Sequence, residues 1–283
     1  MKVLCPVDFS SASITACGWA ARLLEELGGG ELVLLHCINV VSRSALFIKL
    51  DDVFKEQAES DFKALLPQLK EVAPNVTISA KIANQDPKIY ILAFLKGKDF
   101  DLIVTGTKGL SALKEMTVGS TTAFLMDRSS LPLVAIPNNY EYSGLKTIVI
   151  GLDDHATHVE ALEPVLAIAR KTEAEVLFIN TTDDIDEITV EDQVIPLEGI
   201  RNRALSIPQV DSIPKSLTNY CVENGGDLLV MIHQRRPWLE RLFKTSLTKE
   251  ELFEIQIPLF ILPAQKNRSH EKTSNPSLYY VAK

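Results

Sequence analysis

From Lys2 onward the chain alternates short continuous apolar runs with longer stretches whose apolar residues recur every three or four positions. KVLCPV (2–7) is the first run and ends at Asp8. Between Ser10 and Leu27, the residues Ile14, Cys17, Ala21, Leu24 and Leu27 fall at helical spacing, with Ser10 or Ser11 as N-cap and Gly28-Gly29-Gly30 as stop. ELVLLHCI (31–38) is a second run, and Asp51 to Val72 is helical in pattern despite Pro67. VTISAKI (76–82) alternates, as a strand nearer a sheet edge would. Asp86-Pro87 reads as N-cap and first turn of a helix reaching about Lys96. DLIVTG (101–106) is a strand, a helix follows Val118, and LPLVAIP (131–137) is a closing strand. Strands that are mostly continuously apolar and alternate with helices predict a parallel sheet covered on both faces, with right-handed crossovers.

The second half repeats the plan. LKTIVIGLDD (145–154) answers MKVLCPVDFS, which sets Asp153 opposite Asp8. Residues 160–180 answer the first helix and second strand, and residues 227–263 answer residues 101–137 at a constant shift of 126 without a gap. Between them TTDDIDEITVEDQVIPLEGIRNRA (181–204) has a weak helical period and predicts a reduced or irregular crossover. The expectation is a diverged tandem duplication of Rossmann-like α/β domains, 1–142 and 143–264, each an open parallel sheet of about five strands. The tail, 265–283, is polar and expected to be disordered, although its LYYV could add to a sheet edge.

Composition narrows the field. The 283 residues suffice for two domains, and 46% hydrophobic with 23% charged is ordinary for a globular protein. A net charge of −8 offers no global basic field for nucleic acid and disfavours anionic membrane surfaces. No apolar run approaches the ~20 residues of a membrane span. The chain opens on a strand-like run without a signal-type segment, which points to the cytoplasm. Cys5, Cys17, Cys37 and Cys221 lack CxxC spacing and lie mostly in apolar runs, so buried reduced thiols are expected rather than zinc or disulfides.

The chemistry concentrates in GTKGLSALKEMTVGST, residues 106–121. In open parallel sheets ligands bind beyond the carboxyl ends of the strands, where Asp8 and this loop both lie. Gly106 and Gly109 would allow a tight turn with amides close to an anion. Gly119-Ser120-Thr121 falls where the next helix begins, so free N–H groups and hydroxyls there favour phosphate. Lys108 and Lys114 could add charge within the arch between them. Ordinary turns and a plain N-cap explain the same glycines. Neither a Walker A loop nor a GxGxxG fingerprint is present.

The spacing G-2x-G-9x-G-[ST], matched by Gly106, Gly109, Gly119 and Ser120, together with CPVDFS and LLHCIN, resembles the universal stress protein family over nearly the whole chain except the tail. The resemblance implies an adenine nucleotide alpha hydrolase-like fold and ATP bound in the first half. It implies that Pro6, Asp8 and Cys37 line the adenosine side and that Thr105, Gly106, Thr107, Lys108 and Gly109 contact ribose and phosphates. Gly119, Ser120 and Thr121 would hold the phosphates, often with a divalent metal such as Mg or Mn on the phosphate oxygens. It further implies a stress-response role with an unidentified protein partner. The last strand of each half would be an apolar edge, available to a homodimer or to an internal pseudo-dimer.

The second half departs from the motif, with Ile232, Arg235 and Thr245 in place of the three glycines and only Ser246 retained, so it is expected to have lost ATP. HQRRPWLER (233–241) could grip another anion or form a solvated loop with Trp238 and Leu242 at an interface. His155 and His158 beside Asp153 and Asp154 make a weak metal candidate that a capped helix start explains equally. No nucleophile–base pair accompanies the loop, so an ATP-binding regulator or sensor with at most slow hydrolysis is expected. A nucleotide-independent interaction module and an adenylate-forming enzyme are the alternatives.

Overall fold

The computed structural model describes residues 1–38, 45–107, 119–152, 159–182, 195–210, 212–233 and 256–263, with no side-chain account of residues 45–51, 159 or 233. In the first half β1 (Lys2–Val7), α1 (Ser11–Glu26), β2 (Gly30–Cys37), α2 (Ala45–Val72), β3 (Val76–Ala83), α3 (Pro87–Leu95), β4 (Leu102–Gly106), α4 (Ser120–Arg128) and β5 (Leu133–Ile136) follow one another. The second half supplies β6 (Thr147–Gly151), α5 (Val159–Thr172), β7 (Glu175–Thr182), β8 (Asn202–Pro208), α6 (Ile213–Asn224), β9 (Leu228–His233) and β10 (Leu259–Pro263). The strands form a ten-stranded sheet of order β3-β2-β1-β4-β5-β10-β9-β6-β7-β8.

Each half is a parallel five-stranded sheet with the order of its neighbour mirrored, as the α/β expectation requires. The two meet where β5 pairs antiparallel with β10, Val134 opposite Phe260. Both strands are apolar and buried except at Pro263, so each half hides its own edge against the other. Because that junction is antiparallel, the carboxyl ends of β1 and β4 and those of β6 and β9 lie at opposite ends of the sheet along the strand axis. The linker is pinned at Asp227, whose Oδ2 accepts from the backbone N–H of Lys146 (2.8 Å) and Thr147 (2.9 Å).

Local signals account for most elements. Ser10 caps α1 through Ser13 N–H, and Asp86 caps α3 through the N–H groups of Lys88 and Ile89. β3 is the sheet edge, as its alternation suggests. Helix α2 begins at Ala45 rather than Asp51 and runs through Pro67. Two elements went unforeseen, β8 and α6. Residues 195–201, between β7 and β8, hold only turns, and residues 183–194 lie outside the described ones. The tail from residue 264 onward, including LYYV, also lies outside them. Two apolar clusters fill the two sides of the sheet. One contains Trp19, Leu24 and Phe62 from α1 and α2, and the other contains Ile91, Leu125 and Leu217 from α3, α4 and α6.

Candidate functional site

A crevice with a cavity volume of about 120 Å³, on the scale of one aromatic ring system, sits at the carboxyl ends of β1 and β4. Pro6, Val7, Thr105 and Gly106 form its floor. Leu35 and Cys37 from β2, with Pro87 and Ile91 from α3, make one apolar wall. Asp8, Ser10 and Ser13 border it at the start of α1, and Gly119 to Thr122 border it at the start of α4. Eight of the eleven residues expected from the sequence therefore converge here, namely Pro6, Asp8, Cys37, Thr105, Gly106, Gly119, Ser120 and Thr121. Thr107 is buried and outside the lining, while Lys108, Gly109 and Lys114 lie outside the described residues. Val7, Ser10, Ser13, Leu35, Pro87, Ile91 and Thr122 were missed. The only sequence signal for them was placement, since strand ends and helix starts face a switch-point crevice.

Backbone geometry places each group. Phe9 has a φ of 60°, rare for a bulky residue, and its ring is held 4.9 Å from both His36 and Phe62. This turn leaves Asp8 half-buried at the mouth, where its Oδ1 accepts from Ser10 N–H at 3.0 Å and Ser10 Oγ at 2.5 Å. His36 Nδ1–H donates to Val7 C=O at 2.8 Å, so the imidazole is a strut for the strand end and does not line the crevice. The arch closes on itself where Gly119 N–H donates to Thr107 C=O, and Thr122 Oγ donates to Gly106 C=O at 2.9 Å.

The two described glycines of the motif have different reasons. A Cβ on Gly106 would lie 2.6 Å from both the carbonyl carbon and oxygen of Ala12, so this glycine lets α1 press onto β4. Gly106 thus has a packing role besides its place in the crevice lining, and that packing brings Ser10 and Ser13 to the rim. Gly119 has φ −65° and ψ 147°, extended backbone open to any residue, so conformation does not demand a glycine there.

Three helices begin at this crevice, and they are capped differently. Ser10 and Asp86 cap α1 and α3 with side chains, whereas α4 starts at Gly119 with no side-chain cap among the described residues. Its first amides and the hydroxyls of Ser120 and Thr121 are the donors that an anion would meet. Beneath them Thr105, 3% exposed, has an Oγ with no hydrogen-bond partner among the described residues. A buried hydroxyl left in that state costs free energy unless something else in the crevice engages it. Cys37 is half-buried, and burial foremost, then the Asp86 carboxylate, pushes its thiol from 9.0 up to about 11. It therefore lines the wall as a neutral, weakly polar group.

Among the described residues no group of His, Cys, Asp or Glu could hold a metal ion, and no helix is long and apolar enough to cross a membrane. The four cysteines are free thiols, with Cys5 and Cys17 Sγ atoms 3.4 Å apart in the core. His155, His158, Asp153 and Asp154, and residues 234–241 of the arginine-rich loop, lie outside the described residues.

Fold and crevice define a mirrored pair of Rossmann-like α/β halves with a site at the carboxyl ends of the first half's central strands. The model of the universal stress protein family matches residues 1–137. Universal stress protein YxiE of Bacillus subtilis (strain 168) is 31% identical over 145 residues, which are 48% of this chain and 97% of that protein. Among solved structures, a universal stress protein from Archaeoglobus fulgidus DSM 4304 covers 93% of this chain and 96% of its own, with a TM-score of 0.69 and 17% identity. A functionally unknown protein from Pseudomonas aeruginosa PAO1 covers 93% and 92%, with a TM-score of 0.52 and 12% identity. The two solved structures speak for the fold. The chain belongs to the universal stress protein family.

Proposed function

We propose that the first half binds ATP in this crevice and that the protein acts as an ATP-binding stress-response regulator or sensor, cytoplasmic, with at most slow hydrolysis. The observation that carries the reading is the buried Thr105 hydroxyl, which has no partner among the described residues, at the floor of a crevice whose wall is the start of α4, uncapped among those residues. In this reading the apolar wall of Leu35, Cys37, Pro87 and Ile91 takes the adenine, and Pro6 and Asp8 border the adenosine. Thr105 and Gly106, followed in the chain by Thr107, Lys108 and Gly109, face ribose and phosphates. Ser120, Thr121 and the α4 amides hold the phosphate end, and a side chain at Gly119 would stand in its way. A divalent ion such as Mg or Mn would ride on the phosphate oxygens, where it would neutralise charge. No histidine lines the crevice among the described residues, and the only lining carboxylate, Asp8, is engaged by Ser10. We read 1–142 and 143–264 as diverged copies of one domain, the second without ATP, paired internally through β5 and β10 and free to associate with a second chain or another protein.

One observation favours a nucleotide-independent interaction module, because Gly106 is accounted for by Ala12 without any ligand. The purified protein, denatured and its supernatant analysed by mass spectrometry, should release an adenine nucleotide. Gly119→Val should abolish that release while the urea midpoint stays put. A wild-type protein that neither carries nor takes up ATP would leave the interaction module as the better reading.

A further inference from the structure

Resting on the nucleotide reading above, we infer that Lys88 helps this crevice distinguish phosphorylated from unphosphorylated ligands. Lys88 is the second residue of α3, and its N–H is fixed by Asp86 Oδ1 at 2.9 Å. It follows Pro87 and precedes Ile91 by three positions, and both of these line the apolar wall. Its side chain crosses toward α4, where Nζ lies 6.0 Å from the Phe124 ring centroid. Phe124 is four residues after Ser120 and so stands above it on the same helix face. Side chains of a helix lean toward its N-terminus, so the Phe124 ring, and with it this ammonium, lies on the flank of α4 that leads to its uncapped start.

The charges around it favour an incoming anion. Among the described residues no salt bridge involves Lys88. Asp86 spends Oδ1 on the helix cap, and Asp8 spends its Oδ1 on Ser10. A half-buried cation–π contact at this distance holds an ammonium weakly, and a phosphate oxygen offers a charge-assisted hydrogen bond in its place. Lys88 therefore leaves Phe124 for the phosphate end and contributes nothing to base or ribose. It completes a cradle whose neutral donors are the α4 amides, Ser120 and Thr121.

The test is calorimetric titration of wild type, Lys88→Met and Lys88→Arg with ATP and with adenosine, at low and moderate salt. Lys88→Met should weaken ATP about fivefold to tenfold at low salt and less at high salt, with adenosine within about twofold. Lys88→Arg should stay near wild type for ATP. Equal losses for ATP and adenosine would mean that Lys88 merely props α3 against α4, and an unchanged ATP affinity would mean that it never reaches the phosphates. Either result overturns the inference while the nucleotide reading stands. A wild-type protein that takes neither ligand overturns both.

Discussion

The crevice at β1, β4 and α3 and the matching place at β6, β9 and α6 are built on the same strand order, but their walls are occupied differently. Helix α6 starts after Ser212 as α3 starts after Asp86, and Leu217 falls 126 residues beyond Ile91. In the first half Ile91 and Pro6 border an open cavity. In the second, Gly151 stands where Pro6 would be, and Leu217 descends onto its backbone, so that a Cβ there would sit 2.5 Å from Leu217 Cδ1. At the other strand end Gly106 is matched by Ile232, which packs against the core instead of admitting a helix. One fold plan thus tolerates either a glycine on the floor strand with a leucine from the wall, or a glycine under α1 with a cavity beside it. At this place the fold plan therefore accepts a leucine from the wall as readily as an open crevice.

The hardest test of this contrast imports the second half's residue into the first. Gly106→Ile would drive its Cβ into the Ala12 backbone, and helix backbone cannot yield as a side chain tip can. A loss of about 3 kcal/mol or more, or failure to fold, is expected in urea unfolding followed by circular dichroism. A variant of wild-type stability would show that α1 stands off β4 and that the packing account of Gly106 is wrong.

Emptying the wall of the second half should cost nearly as much. Leu217 is 1% exposed and packs in the cluster with Val149 and Ile179. Leu217→Ala should destabilise by about 3 kcal/mol through lost burial and the cavity left behind. If the two halves differ only in this plug, the variant should take up a small apolar probe such as xenon or benzene in the second half, as seen in a crystal. A stability change under about 1 kcal/mol would mean that α6 collapses onto Gly151 and that the position was never a plug.

Thiol reactivity compares the open and closed walls without a mutation. Cys37 is half-buried at the crevice, whereas Cys221 is fully buried in α6 with Gly226 pressed against it. Burial pushes their thiols up to about 11 and about 12, respectively. Iodoacetamide should modify Cys37 in the native protein, with a rate that rises about tenfold per pH unit and continues beyond pH 9, because only the thiolate reacts. Cys221 should be modified only under conditions that unfold α6. The sign for stability follows from the raised value: protonated Cys37 is favoured in the fold, so its contribution is present below its ordinary pKa of 9.0 and is lost as the pH climbs toward 11. A rate for Cys37 that levels off near pH 8 would put the thiol in a different, electropositive setting.

Much of this organisation was legible beforehand, and the exceptions have physical causes. Caps at Ser10 and Asp86, the buried runs of β1, β2 and β4, and the alternation of β3 are local signals, and local signals survive folding. β8 hid because its inward positions are Asn202, Ala204 and Ser206, so polarity runs opposite to the usual strand pattern. Asn202 is satisfied there by the backbone of Ile195, at 2.8 Å to its N–H and 2.9 Å to its carbonyl, and by the Ile200 carbonyl. Helix α6 hid behind mixed periodicity, since Ser216 and Thr218 share its buried positions with Leu217 and Cys221. In the crevice, Asp8, Cys37 and Gly119 could be placed from strand and helix ends alone. The capping difference between α3 and α4 and the reason for Gly106 could not, because both depend on which backbone meets which side chain.

The smallest expected effect is also the most discriminating, because it separates stability from binding at one atom. Thr105→Val keeps the volume and branching of a side chain buried in β4 and removes an oxygen that has no partner among the described residues. If that oxygen only pays a desolvation cost, the variant should be as stable as wild type or more stable by about 1 kcal/mol in urea unfolding. The same change should weaken ATP by a few fold, corresponding to about 1 kcal/mol for one hydrogen bond to the ligand. Gain in stability with loss in affinity is the signature of a group kept unsatisfied for a ligand. A loss of stability would instead reveal a partner for the hydroxyl within the fold, and the argument that begins at Thr105 would end there.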